Sequence, residues 1–402
     1  MDKTLSRSFI VLIICLSTGA LVSTDIFLPA LDTMAGFYHV KEDEIQKAIA
    51  VFMLGLSFSQ LIYGPLSDRF GRKNILLVGL FIWLFSTVAV IYTTHINQLL
   101  FLRLVQGVGS CAGLTISRAI INDVLEKKQA GQLYLVIFPF VGMSPAIAPI
   151  IGGTLSHYFG WQACFVFLTL FILLTLTLCF TTLKETLPAS KRMGRGFFST
   201  IEGTIAVLCN RKFLFYSLIP CFAYGVYFSY LVESPFLLTR LGLPDFYIGY
   251  TYVTLSAAYI SGNLVAKRVS RLRGIEGTLA IGYAFTSVGG VIFMLQMFFS
   301  PFALLTSILS ISIVTFGNGF LMPLGTASAI AAHSHASGTA SGVMGALQLG
   351  AAAFATFVIG TLTGHEPHYV ALIILTYCLG GAFIYFVGYA RHLRGIEAEV
   401  GE

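Results

Sequence analysis

Charge is what this sequence has least of. Acidic and basic residues make up 10% of its 402 residues, against 56% hydrophobic. A soluble domain carries roughly 25% charged residues, so this chain cannot cover a water-facing surface of ordinary size. A bilayer is the solvent that such a composition fits. Other absences narrow the chemistry. No phosphate-binding glycine loop occurs, which argues against ATP as an energy source. The seven cysteines (15, 111, 164, 179, 209, 221 and 378) form no CxxC or Cys/His cluster, so they read as small apolar helix residues. His365-Glu366-Pro367-His368 is one residue short of a zinc-protease HExxH, and His333 and His335 fall in a predicted loop where they read as solvated. The sequence therefore suggests no enzyme, cofactor or metal. The net charge of +6 says little about nucleic acid, because its distribution follows a different logic.

What is present is a series of long apolar runs. At about 20 residues per crossing, twelve spans are predicted at 8–31, 45–66, 74–93, 98–122, 130–156, 161–183, 212–238, 246–267, 276–298, 300–325, 337–362 and 369–390. The run from Phe9 to Ala30 is longer than a secretory apolar core and many like it follow, so it reads as a retained first helix. Of the 24 Lys and Arg, all but five fall on one side of this arrangement; Lys41, Lys47 and Arg240 lie opposite, and Arg103 and Arg118 lie within spans. By the positive-inside rule both termini are expected in the cytoplasm.

The longest polar stretch sits mid-chain. It divides the sequence into an N-terminal six-helix bundle (1–183), a cytoplasmic linker (184–211) and a C-terminal six-helix bundle (212–402). The halves echo one another. Gly64-Pro-Leu-Ser-Asp-Arg-Phe-Gly-Arg-Lys73 follows the second span, and a glycine-bearing basic turn, Gly262 to Gly274, follows the eighth. Such parallel repeats characterise major facilitator transporters.

Several motifs carry a closer resemblance. Gly64, Asp68, Arg69, Gly71, Arg72 and Lys73 fall at the spacing of that superfamily's signature turn, which holds a carboxylate among cations. Leu102-Arg103-x-x-Gln106-Gly107-x-Gly109 resembles its fourth-helix motif. Gly142, Pro145, Pro149, Gly152 and Gly153 resemble the antiporter motif of exporting members. Asp25-Ile-Phe-Leu-Pro29 and Gly338-Thr-Ala-Ser341 to Gln348 match stretches of the bicyclomycin-resistance (Bcr/CflA) group of drug:proton antiporters. The chain resembles that group over roughly residues 8–392. It departs from it at Asn122 in Arg118-Ala-Ile-Ile-Asn122-Asp123, at Glu233 before Ser234-Pro235, and at Leu324-Gly325 after Pro323.

Four charged residues stay inside predicted spans: Asp25, Arg103, Arg118 and Glu233. Each costs several kcal/mol at depth unless paired or hydrated. Asp25 and Arg103 are expected at similar depth, as a proton-coupling pair or a structural salt bridge, although Arg103 can also snorkel to the outer interface. Glu233 is either a substrate-cavity group or a hydrated helix end. Arg118 either enters the cavity, neutralises Asp123 or reaches cytoplasmic water. The resemblance implies an all-α bacterial inner-membrane protein, monomeric, exporting small amphipathic compounds against a proton gradient by alternating access. Export of an endogenous metabolite such as a siderophore, or proton-symporting uptake, are the alternatives.

Overall fold

The computed structural model describes residues 6–187, 197–300, 303–332, 337–362 and 366–400, and every regular element among them is helical. His333, His335 and His365, and the linker cations Lys191, Arg192 and Arg195, lie outside the described residues. In order, the helices are α1 (Arg7–Asp25), α2 (Leu31–Tyr38), α3 (Glu42–Phe70), α4 (Arg72–Ile91), α5 (Ile96–Val124), α6 (Lys127–Phe159) and α7 (Gln162–Thr182). They continue with α8 (Phe197–Leu208), α9 (Arg211–Arg240), α10 (Asp245–Phe299), α11 (Leu304–Ala331), α12 (Ser337–Leu362) and α13 (Pro367–Val400).

Ten stretches are long and apolar enough to cross a bilayer, and α1 with α2 forms one of them. At 1.5 Å per residue, the 33 residues of α6 add a helix of about 50 Å. The 55 residues of α10 are long enough for two crossings, and the chain leaves helical geometry inside them only at Gly274 (φ 68°, ψ −177°). Counting its two arms separately gives twelve membrane-length helices among the described residues, in place of the separate 246–267 and 276–298 spans. The joint needs no loop because glycine adopts a positive φ without a Cβ clash. Gly71 (φ 95°) does the same between α3 and α4. Inside the linker, α8 is an additional short helix.

The chain clusters into two compact units. The first is Met1–Gly203 with Leu238–Val253, and the second is Thr204–Leu237 with Thr254–Glu402. In the first, small residues set the helix spacing, since membrane helices associate by close packing rather than by hydrophobic expulsion. A Cβ on Gly107 would lie 2.2 Å from the Phe52 carbonyl oxygen, and one on Gly109 would lie 2.4 Å from the Trp83 nitrogen. These glycines hold α5 tightly against α3 and α4. The 238–253 segment joins this unit through an Arg240–Glu42 ion pair and through Gly249, whose added Cβ would fall 2.6 Å from the Pro149 carbonyl oxygen. In the second unit, Ile219, Leu279, Tyr283, Leu321 and Tyr385 build a core shared by α9, α10, α11 and α13. There Gln348 of α12 donates to Thr326 Oγ1 of α11 at 2.8 Å.

Candidate functional site

Asp25 is the last residue of α1. The helix stops there because Pro29 lies four residues on, and the chain passes through a single 3-10 turn, Leu28–Ala30, before α2 resumes. The side chain is buried, at 3% exposure. It has no ion-pair partner among the described residues. Against this break packs α6: a Cβ on Gly152 would sit 1.5 Å from the Ile26 carbonyl oxygen. Only glycine permits that approach, so one glycine of the antiporter-like motif directly abuts the residue after Asp25. Gly153 is also buried, whereas Gly142 has open space around it.

Arg103 of α5 is fully buried and does not reach an interface. Nor does it form a salt bridge with Asp25, so the structural-bridge reading of the two does not hold. Its guanidinium lies between two aromatic rings, 4.3 Å from the centroid of Phe27 and 4.2 Å from that of Phe52. Nη1 donates to Gln106 Oε1 at 2.5 Å and to the Ser23 carbonyl at 3.2 Å, and Nε donates to the Ala48 carbonyl at 3.4 Å. A desolvated cation–π contact is worth about 2 kcal/mol and a charge-assisted hydrogen bond about 1.5–3 kcal/mol. One contact of each kind already offsets the roughly 2.5–3.5 kcal/mol that insertion scales assign to an arginine at mid-helix. The charge is therefore tolerated without a carboxylate. Nη2 is buried with no hydrogen-bond partner among the described residues.

The arginine is fixed by a ring of bonds across three helices. Gln106 Nε2 donates to Thr87 Oγ1 (2.7 Å), Thr87 Oγ1 donates to the Trp83 carbonyl (2.6 Å), and Trp83 Nε1 donates to Ser23 Oγ (3.1 Å). Ser23 and Phe27, the two residues that touch Arg103 from α1 and its break, flank Asp25 in sequence. The carboxylate thus sits in a segment whose backbone position depends on Arg103. Sequence reasoning missed Phe27, Phe52, Ser23, Thr87 and Trp83, because aromatic and hydroxyl residues in a membrane helix look alike whether they face lipid or a buried cation.

Arg118 is exposed and lies fifteen residues along α5 from Arg103, about 22 Å at 1.5 Å per residue. It shares no site with Arg103. Asp123 is taken by Arg72, whose Nε donates to it at 2.9 Å, so Arg118 does not neutralise it. Glu233 is buried in α9, in the second unit.

The signature turn forms a separate network. Arg72 is buried; it pairs with Asp68 at 2.5 Å and donates from Nη1 to Ser67 Oγ at 2.7 Å. Glu185, just beyond α7, accepts from the backbone nitrogens of Arg72 (2.9 Å) and Lys73 (3.3 Å), and Lys73 Nζ donates to the Leu183 carbonyl (2.6 Å). A carboxylate at the first turn of α4 satisfies orphan amides and opposes the helix dipole. Arg69 stays exposed, its guanidinium 5.2 Å from the Phe70 ring centroid. Asp123 and Glu185 were not foreseen as parts of this turn.

Among known families, the sequence model described as Major Facilitator Superfamily matches residues 12–356. Multidrug resistance protein D of Escherichia coli (strain K12) is 26% identical, over 84% of each chain. The bicyclomycin resistance protein homolog of Haemophilus influenzae is 24% identical, over 85% of this chain and 83% of its own. The fold is also similar to the xylose transporter XylE from E. coli in a partially occluded inward-open conformation. That likeness has a TM-score of 0.73 and 13% identity, covering 94% of this chain and 96% of that one.

Proposed function

Because the chain belongs to the Major Facilitator Superfamily and is a multi-pass membrane transporter, not an enzyme, we propose that it is a proton-coupled exporter of small amphipathic compounds. It works by alternating access, in the manner of the bicyclomycin-resistance group. The observation that carries this reading is the buried Asp25 carboxylate, without an ion-pair partner among the described residues, at the point where α1 breaks. A buried carboxylate with no fixed counter-charge can exchange a proton when its surroundings alternate between closed and hydrated. Movement of the α1 break relative to Arg103 supplies such a change. Asp25 and Arg103 form the coupling centre on this reading. Glu233 and Arg118 belong to the substrate path, and Asp68 with Arg72 biases the conformational equilibrium. Export rather than uptake is supported by the names of the relatives and by the antiporter-like motif of α6. Both termini face the cytoplasm of a bacterial inner membrane, and the chain acts as a monomer driven by the proton gradient alone.

The test is a transport assay in everted membrane vesicles with a substrate panel of cationic and neutral drugs, siderophores and sugars. Proton-dependent accumulation of a drug is the expected result. Accumulation of a siderophore alone would move the reading to metabolite export. Sugar uptake in right-side-out vesicles, with no drug accumulation, would overturn it.

A further inference from the structure

The first arm of α10 ends in a patch whose charge the transport reading does not use. Lys267, Arg268, Arg271 and Arg273 are all exposed and lie within seven residues. From Phe246 to Ile275 the sequence holds no acidic residue. None of the four cations forms an ion pair with a carboxylate among the described residues. The nearest acid in the sequence, Glu276, is already engaged: Tyr216 donates to its Oε1 at 2.6 Å and Tyr385 to its Oε2 at 2.7 Å. Exposed apolar residues share the cationic face. Leu264, Arg268, Arg271 and Leu272 stand at i, i+4, i+7 and i+8, so they line one side of the helix. Leu264 is 63% exposed and Leu272 85%.

Loop cations in water have no use for a fully projecting leucine between them. A membrane surface has a use for both, since arginine stems lie along acyl chains while their heads meet phosphate. We propose that this face is a binding site for the phosphodiester headgroup of an anionic glycerophospholipid such as phosphatidylglycerol. Arg268 and Arg271 hold the headgroup, and Leu264 and Leu272 contact the acyl chains. Arginine's planar fork suits phosphate oxygens better than a point charge does. The proposal goes beyond the transport reading and does not depend on what is carried.

The experiment measures lipid bound to purified, detergent-solubilised full-length protein by native mass spectrometry, titrating phosphatidylglycerol against phosphatidylcholine. Each cation near a charged lipid surface contributes about fivefold in affinity. The double variant R268Q/R271Q is therefore expected to lose roughly 25-fold in phosphatidylglycerol binding with phosphatidylcholine unchanged. Leu272→Asn should weaken the same lipid, while R268K/R271K, which keeps the charge and loses the fork, should bind more weakly than wild type and more tightly than R268Q/R271Q, which guards against misfolding as the cause. Arg211→Gln with Lys212→Gln removes charge from another exposed basic site and should leave binding intact. An equal loss in that control would overturn the proposal, because any surface cation would then suffice. So would displacement of the lipid by inorganic phosphate at low millimolar concentration, which would mark a free-anion site.

Discussion

Gly152 and Ile26 are in backbone contact, with no room for a methyl group between them: a Cβ on Gly152 would fall 1.5 Å from the Ile26 carbonyl oxygen. Overpacking costs about 1–3 kcal/mol where neighbours can yield, and here the neighbour is backbone. Gly152→Ala is expected to lower the melting temperature in detergent markedly and to abolish transport. Gly142→Ala, which meets nothing within 4 Å, should change the melting temperature little. Equal effects would show that α6 does not rely on this contact.

Arg103→Lys keeps the charge and loses the fork that lets Nη1 reach both Ser23 and Gln106 while the plane stacks between Phe27 and Phe52. A destabilisation of about 2 kcal/mol is expected, measured by thermal unfolding, together with loss of transport. Trp83→Phe removes the bond to Ser23 Oγ, about 1 kcal/mol, and also the part of the buried ring that packs against Gly19 and Phe171, so the total cost should exceed that figure. If Arg103→Lys matches wild type in both assays, the sandwich has no structural role.

Asp25→Asn should stop substrate-induced proton release in reconstituted vesicles while leaving the protein folded. Glu233→Gln should change which compounds are exported and leave proton release largely intact. Normal release by the first variant with failure of the second would reverse the two roles.

Asp68→Asn removes one acidic partner of Arg72 and leaves Asp123 in place. Substrate affinity is expected to survive while turnover falls, since a group outside the binding site acts only by biasing states. Gly71→Ala is a harsher change, because φ 95° with ψ 147° is a conformation used almost only by glycine and costs a residue with a Cβ about 1–3 kcal/mol. Proportional loss of binding and turnover in Asp68→Asn, at normal expression, would place Asp68 in the site itself.

A single cysteine at Arg211, in a background with the seven native cysteines replaced, should resist a membrane-impermeant thiol reagent in intact cells and react in everted vesicles. Labelling in intact cells would invert the proposed orientation.

The helical class and the number of crossings were legible in the sequence because both follow from apolar run length, which the bilayer fixes. The boundary at residues 268–275 was not, because a glycine with positive φ joins two spans as compactly as a loop would. Asp25 was found through its charge and its distance from Pro29. The pairing of Arg103 was misread for a physical reason: a sequence exposes opposite charges, while rings and carbonyl oxygens that stabilise a cation equally well carry no label. Arg72 illustrates the same limit, since its partners Asp123 and Glu185 lie 51 and 113 residues away.

The bonds from Glu185 and Lys73 fold the segment after α7 back onto the start of α4. Three bonds thus tie the end of the sixth crossing to the start of the third, so residues 183–187 form a latch across the bundle rather than a free lead-out from α7.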